Sequence, residues 1–65
     1  MNLCKVTVYL INGHSVCYNK TDGLRLSATY EGDYVSIAER TDDGQHMQIG
    51  IFPMRTILYV EKTFE

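Results

Sequence analysis

Apolar and polar residues alternate along most of this chain, and no segment shows the apolar spacing of an amphipathic helix. Stretches such as "CKVTVYL" and "LRLSATY" are rich in β-branched and aromatic residues, which is typical of strands. Turn-forming pairs separate the stretches at intervals of about ten residues, at Asn12-Gly13, Asp22-Gly23, Gly32-Asp33 and Asp43-Gly44. The pattern predicts a single all-β domain over residues 1–65, an antiparallel meander of five to six short strands.

The first hairpin is predicted from Asn12-Gly13, a pair that favours a two-residue type I′ loop. Such a loop places Val8 opposite Cys17 and Lys5 opposite Lys20. One face of the hairpin is then a core face, which carries Cys4, Val6, Val8, Leu10 and Cys17. The other face mixes aromatic and basic residues, and it carries Lys5, Thr7, Tyr9, Ile11, His14, Val16, Tyr18 and Lys20.

Two further hairpins follow from the positions of apolar residues. A two-residue loop at Gly32-Asp33 keeps the apolar residues of 24–30 and 34–40 on one face, with the pairs Tyr30–Val35, Ala28–Ile37 and Leu26–Glu39. The next loop has to contain three residues, 42–44, because a two-residue loop would turn the apolar side chains of 47–51 toward the polar face. Gly44 can adopt the left-handed conformation that such a loop needs. This choice predicts the pairs Ile37–Ile49 and Val35–Ile51.

The chain ends in "GIFPMRTILYVEK", residues 50–62. Pro53 has no N–H to donate and ends a strand ladder, "PMRT" suits a single tight turn, and residues 57–62 form a last strand. This ending resembles the closing segment of SH3-like barrels. The resemblance implies that the last strand pairs with the first and that the meander curls into a small SH3-like barrel. The chain has no tryptophan and no stretch of the "ALYDY" type, so the resemblance implies architecture only.

Composition and charge narrow the classes of function. The chain has 45% hydrophobic residues and a net charge of −2, which gives no overall attraction to nucleic acid or to an anionic membrane. No apolar run approaches the roughly 18 residues of a membrane span, and the start does not have the pattern of a signal peptide. Two cysteines in such a chain indicate free thiols in a reducing compartment, so we expect a cytoplasmic protein without membrane contact.

Candidate chemistry centres on His14 and Cys17, which form an H-x-x-C motif, with Cys4 and His46 as further possible ligands. Side chains three residues apart in a strand point to opposite faces, so His14 and Cys17 diverge. We therefore predict no metal site and no cofactor. We also predict no catalytic residues, because all four aspartates lie in turns, where backbone geometry accounts for them.

The mixed face of the first hairpin is the best candidate for binding. Its predicted contact residues are Tyr9, Ile11, Val16 and Tyr18, rimmed by Lys5, Lys20 and His14. Aromatic residues flanked by charge are typical of protein interfaces. We therefore expect a small non-catalytic protein-binding module that contacts another protein or a second copy of itself. The alternative is single-stranded nucleic-acid binding, with tyrosines stacking on bases and lysines meeting phosphates. Small size and lack of chemistry are also typical of phage or prophage accessory proteins that inhibit or modulate a host protein.

Overall fold

The structure, a computed structural model, describes residues 2–65, which form six strands and a short 3₁₀ helix. These elements are β1 (Leu3–Leu10), β2 (Ser15–Asn19), β3 (Arg25–Tyr30), β4 (Tyr34–Arg40), β5 (His46–Pro53), the 3₁₀ helix η1 (Met54–Thr56) and β6 (Ile57–Phe64). They build two antiparallel three-stranded sheets, with the strand orders β2-β1-β6 and β3-β4-β5. The predicted all-β class is confirmed, and so is the pairing of the last strand with the first.

The predicted barrel closure is not confirmed, because the strand pairs of residues 2–65 stay within the two sheets. The core lies between the sheets and is formed mainly by their central strands. Val6 and Val8 of β1 and Val35 and Ile37 of β4 are fully buried, and Leu26 of β3 is nearly so. A central strand is flanked on both sides, so its inward side chains are covered most completely. Burying each such side chain stabilises the fold by about 1.5–3 kcal/mol.

The first hairpin differs from the prediction by one residue of register. Leu10 N–H donates to His14 C=O, which closes a three-residue loop of Ile11, Asn12 and Gly13. Gly13 has a φ of 91°, whereas Asn12 has a negative φ, so the loop is not type I′, which requires positive φ at both central residues. The observed pairs are Val6–Tyr18, Thr7–Cys17, Val8–Val16 and Lys5–Asn19.

The consequence of this register is an exchange of faces. Val16 and Tyr18 lie opposite Val8 and Val6 on the core side, while Cys17 is exposed on the outer side. The predicted core position of Cys17, the outer position of Val16 and Tyr18, and the pairing of Lys5 with Lys20 are therefore wrong. The physical reason is packing, because the three-residue loop packs the Tyr18 side chain against the core and half-buries Val16, whereas the two-residue loop would place the Cys17 thiol on that side.

The second hairpin has the predicted register. Tyr30 pairs with Val35, Ala28 with Ile37, and the ladder continues to the end of β3. The loop has two residues, Gly32 and Asp33, and Gly32 adopts the positive φ (88°) that a type II′ turn requires at its first central position.

The third hairpin confirms the predicted loop but not the whole predicted ladder. Thr41 N–H donates to Gln45 C=O around the three-residue loop 42–44, and Gly44 has a φ of 94°. Farther along the ladder, a β-bulge adds one residue to β5, so that Ile37 pairs with Gly50 and Val35 with Phe52. The predicted pairs Ile37–Ile49 and Val35–Ile51 are wrong. The bulge brings the larger Phe52 ring against the core and leaves Ile51 57% exposed.

The connection from β5 to β6 follows the predicted pattern. β5 ends at Pro53, and the Thr56 hydroxyl donates to the Pro53 carbonyl at 2.7 Å across the single turn of η1. Met54 N–H donates to Asp33 C=O, which ties this turn to the β3–β4 loop. The last strand extends to Phe64, two residues beyond the predicted end.

Candidate functional site

The outer face of the first sheet carries a stacked pair of tyrosines. Tyr9 of β1 lies opposite Tyr59 of β6, and their ring centroids are 4.5 Å apart with an interplanar angle of 22°. The same face carries the side chains that pair along β1, namely Lys5, Thr7, Cys17 and Glu61. We call the set Lys5, Tyr9, Cys17, Tyr59 and Glu61 the tyrosine face.

Charge and exposure distinguish the two tyrosines. The Glu61 carboxylate is the main cause that raises the pKa of Tyr9, and desolvation and the neighbouring Tyr59 add to it. Tyr9 therefore remains a neutral phenol throughout the physiological range. Tyr59 is 52% exposed, while Tyr9 is half-buried. The pair is thus an aromatic surface on which Tyr59 is the more accessible ring.

Three of the seven predicted binding residues lie at or near this face. Lys5 is exposed on it, Tyr9 forms its stacked pair, and Ile11 is 65% exposed in the loop that follows β1. Leu58, which precedes Tyr59, is equally exposed. Exposed apolar residues therefore lie close in sequence to both tyrosines.

The other four predicted residues are elsewhere. Val16 and Tyr18 face the core, His14 lies exposed at the end of the β1–β2 loop, and Lys20 lies at the far end of β2, where its N–H donates to Cys4 C=O. The predicted residues therefore do not form one continuous patch. Whether any of them binds a partner stays a prediction.

Tyr18 has a structural position between the two sheets. Its ring meets the ring of Phe52 edge-on, with centroids 6.3 Å apart, and it lies over the backbone of Gly50. Burial raises the pKa of the Tyr18 phenol. The edge-to-face geometry is a favourable aromatic contact, worth about 0.5–1.5 kcal/mol beyond its buried area.

The H-x-x-C motif does not assemble a metal site in the part of the chain that is described. His14 and Cys17 are both exposed but belong to a loop end and a strand face, respectively, and Cys4 is half-buried. Between residues 2 and 65, no three His, Cys, Asp or Glu side chains converge on a point that could hold a metal ion. Both cysteines have free thiols.

A second candidate surface is a cleft of about 350 Å³ beside the free edge of β3. Its walls contain three of the six basic side chains of the chain, Lys20, Arg25 and Arg40, and its apolar part is formed by Leu3, Leu24 and Leu26. We call these six residues the basic cleft. With Asp42 on its rim, the cleft has three positive charges and one negative charge, a net charge of +2 on a chain whose net charge is −2.

The charges of the basic cleft are only partly compensated. Arg25 lies directly opposite Arg40 in the β3–β4 ladder, and such like-charge pairs destabilise a sheet by about 0.2–1 kcal/mol. Arg25 Nε is 3.7 Å from Asp42 Oδ1, but both side chains are largely exposed, so this ion pair is weak. Within residues 2–65, Lys20 and Arg40 have no ion-pair partner.

Sequence reasoning missed two parts of these surfaces. Tyr59 was not a predicted binding residue, because no tight turn connects β6 to β1 and nothing in the sequence determines their register. The basic cleft had a detectable signal, since the predicted β3–β4 register already places Arg25 opposite Arg40. The contribution of Lys20 had no such signal, because it depends on how the two sheets pack.

Comparisons with protein-family models, curated proteins and solved structures find no match for this chain. The class is therefore defined by the structure alone: a small all-β domain of two antiparallel sheets with an exposed aromatic face and a basic cleft. Residues 2–65 contain no helix of the length and apolar character needed to cross a membrane.

Proposed function

We propose that this chain is a small non-catalytic protein-binding module whose main contact surface is the tyrosine face. The observation that carries the proposal is the stacked pair of Tyr9 and Tyr59 on the outer side of a three-stranded sheet, with Tyr59 half exposed. Tyrosine is enriched among the residues that dominate interface energies, because its ring is large and rigid and its hydroxyl tolerates water.

The surroundings of the pair support a protein partner. Ile11 and Leu58 add exposed apolar area near the tyrosines, while Lys5 and Glu61 supply one charge of each sign along the same face. An apolar centre with a polar rim is the usual anatomy of a protein interface. A second copy of the chain is one partner of this kind, and a host protein inhibited or modulated by a phage or prophage accessory protein is another.

The architecture that we propose for this module is an SH3-like barrel. Three features support it: the pairing of β6 with β1, the single turn of η1 immediately before β6, and the contacts between β1 and β3 of the two sheets. Small barrels of this type present binding residues on a rigid sheet face.

Single-stranded nucleic-acid binding is the second candidate. The exposed ring of Tyr59 could stack on a base, with Lys5 on the same face available for a phosphate. The Glu61 carboxylate close to Tyr9 opposes a phosphate at this position. The protein-binding proposal is therefore favoured.

The proposal is tested by capture from a bacterial lysate with the wild-type chain and with Tyr9→Ala/Tyr59→Ala, together with light scattering of each. Tyr30→Ala/Ile51→Ala is the matched control, because it removes one exposed aromatic and one exposed aliphatic side chain elsewhere. We expect a partner, or a second copy, to bind the wild type and the control. We expect the tyrosine variant to bind at least about 30-fold more weakly, since truncating an interface anchor typically costs 2 kcal/mol or more.

The proposal is wrong if the tyrosine variant binds as tightly as the control while its thermal unfolding is unchanged. A labelled oligothymidylate provides the comparison for the second candidate. Binding that depends on Tyr59 and Lys5 and weakens steeply as salt is raised would favour nucleic acid over protein.

A further inference from the structure

We propose that the basic cleft binds an extended acidic segment of a partner protein, with carboxylates on the three cations and an apolar side chain on the leucines. This inference rests on the proposed protein-binding function and adds a second contact surface with a defined partner chemistry.

The first argument is the concentration of positive charge in an acidic protein. Lys20 comes from β2's end, and Arg25 and Arg40 form the last cross-strand pair of β3 and β4, so three elements bring cations to one cleft. The arrangement places Arg25 and Arg40 opposite each other with only the exposed, single contact to Asp42 to offset their repulsion. A carboxylate from a partner would relieve this repulsion and would accept charge-assisted hydrogen bonds from both guanidinium groups.

The second argument is the shape of the cleft wall. Residues 23–27 line the cleft consecutively, and β3 is an edge strand that pairs only with β4. Glu31 N–H donates to Tyr34 C=O at the turn, so the alternation of an antiparallel ladder directs the backbone groups of Arg25 and Ser27 toward β4. The backbone N–H and C=O of Leu26 therefore face away from β4, but Leu26 is only 6% exposed, so a partner segment would follow this wall through side-chain contacts.

The third argument decides between a peptide and a nucleic acid. None of the residues that line the cleft is aromatic, so the cleft offers no ring on which a base could stack. The half-buried Leu3 and Leu24 offer an apolar surface instead, which suits a hydrophobic side chain beside the acidic residues. The volume of about 350 Å³ lies at the lower end of the range for sites that enclose a small ligand or a few side chains.

The test is a titration of the ¹⁵N-labelled full chain, followed by amide chemical shifts. The probe is the peptide acetyl-Glu-Leu-Glu-Glu-Leu-Glu-amide, and the matched probe has glutamine at every glutamate position. We expect the acidic peptide to shift the amides of residues 24–27 and of Arg40, with an affinity that falls as salt is raised. We expect the glutamine peptide to bind at least about tenfold more weakly, because charge-assisted hydrogen bonds are about twice as strong as neutral ones.

Variants locate the binding to the cleft. The double variant Arg25→Gln/Arg40→Gln should bind the acidic peptide at least about tenfold more weakly than the wild type. Lys20→Gln should weaken this binding by a smaller factor. Arg55→Gln is the matched control, because Arg55 is an exposed arginine of η1 outside the cleft. The affinity of this variant for the acidic peptide should stay within about twofold of that of the wild type. Removing the like-charge pair should leave the thermal midpoint of the double variant equal to or above that of the wild type.

This inference would be overturned if millimolar acidic peptide shifted no amide, or if the glutamine peptide bound as tightly as the acidic peptide. It would also be overturned if the double variant and the Arg55→Gln control bound the acidic peptide equally well, or if an oligothymidylate bound the wild type more tightly than the acidic peptide does. Failure here is distinguishable from failure of the proposed function. The peptide titration does not involve Tyr9 or Tyr59, so the Tyr9→Ala/Tyr59→Ala chain should bind the peptide as the wild type does.

Discussion

Replacing Gly50 by alanine tests the packing of the two sheets directly. A Cβ at this position would lie 2.9 Å from Cζ of Tyr18, still closer to the Tyr18 hydroxyl, and 3.2 Å from Cε1 of Phe52. Gly50 lies in β5 and does not have a positive φ, so left-handed backbone strain plays no part. The only obstacle to a methyl group is the aromatic contact between the sheets.

The sign of the effect is decided by two opposing contributions. At an ordinary strand position, alanine is more stable than glycine by about 0.5–1 kcal/mol, because glycine loses more backbone entropy on folding. Forcing an extra methyl into packed side chains costs about 1–3 kcal/mol. Since the nearest groups are two aromatic rings wedged between sheets, we expect overpacking to win and Gly50→Ala to lower the free energy of unfolding by about 1–2 kcal/mol. For a domain of this size, each kcal/mol lowers the thermal midpoint by about 4–8 °C.

The assay is urea denaturation of four chains: wild type, Gly50→Ala, Tyr18→Phe and the double variant. The Tyr18 hydroxyl is the atom closest to the added methyl, so Tyr18→Phe should relieve part of the clash. We expect Gly50→Ala to cost at least about 0.5 kcal/mol less in the Tyr18→Phe background, a coupling typical of residues in direct contact.

Two results would refute this reasoning. If Gly50→Ala stabilises the protein, Tyr18 does not lie over Gly50 and the two-residue loop at Asn12-Gly13 regains support, since that loop turns Tyr18 outward. If both substitutions destabilise but their effects simply add, the two residues are not in contact.

Three further predictions concern the loops and the thiols. Gly44→Ala should lower the free energy of unfolding by about 1–2 kcal/mol, because an L-residue is strained at a φ of 94°; an unchanged thermal midpoint would contradict the loop geometry. Hydrogen bonds from the Thr41 hydroxyl and the Gln45 N–H lower the pKa of Asp43 below its ordinary value of 3.8. The contribution of the Asp43 carboxylate to stability should therefore be present above about pH 4 and be lost as pH falls through the lowered pKa. Asp43→Asn should remove this part of the acid dependence when unfolding is measured at a series of pH values. Cys17 should react with a thiol reagent in the native protein faster than the half-buried Cys4. The two rates are measured separately, for Cys17 in the Cys4→Ser variant and for Cys4 in the Cys17→Ser variant. A slower reaction of Cys17 would mean that Cys17 faces the core.

The hairpins show which sequence arguments were sufficient. For the third hairpin, the requirement to bury the apolar residues of β5 selected the three-residue loop, and the structure has that loop. For the first hairpin, the Asn12-Gly13 dipeptide alone selected a two-residue loop, and that selection was wrong. The same burial criterion, applied to Val16 and Tyr18 rather than to Cys17, would have favoured the observed loop.

The candidate surfaces depended on longer-range information. Tyr9 could be placed on an outward face from β1 alone, but its stacking partner Tyr59 comes from a strand fifty residues later in the sequence. The bulges on either side of their pair shift the β1–β6 register, and no local pattern in either strand encodes them. The basic cleft likewise joins Lys20 of one sheet to Arg25 and Arg40 of the other.

The sequence by itself determined the strand content, the positions of the turns, the β3–β4 register and the end of β5 at Pro53. These features depend on alternation, on glycines that adopt positive φ, and on the missing N–H of proline, all of which act over a few residues. The tertiary structure alone decided which face of β2 is buried, where β5 bulges and which tyrosine stacks on Tyr9. The first two choices fill the space between the sheets, where Tyr18, Gly50 and Phe52 are in contact. The third follows from the β1–β6 register, which places Tyr59 opposite Tyr9 on the outer face.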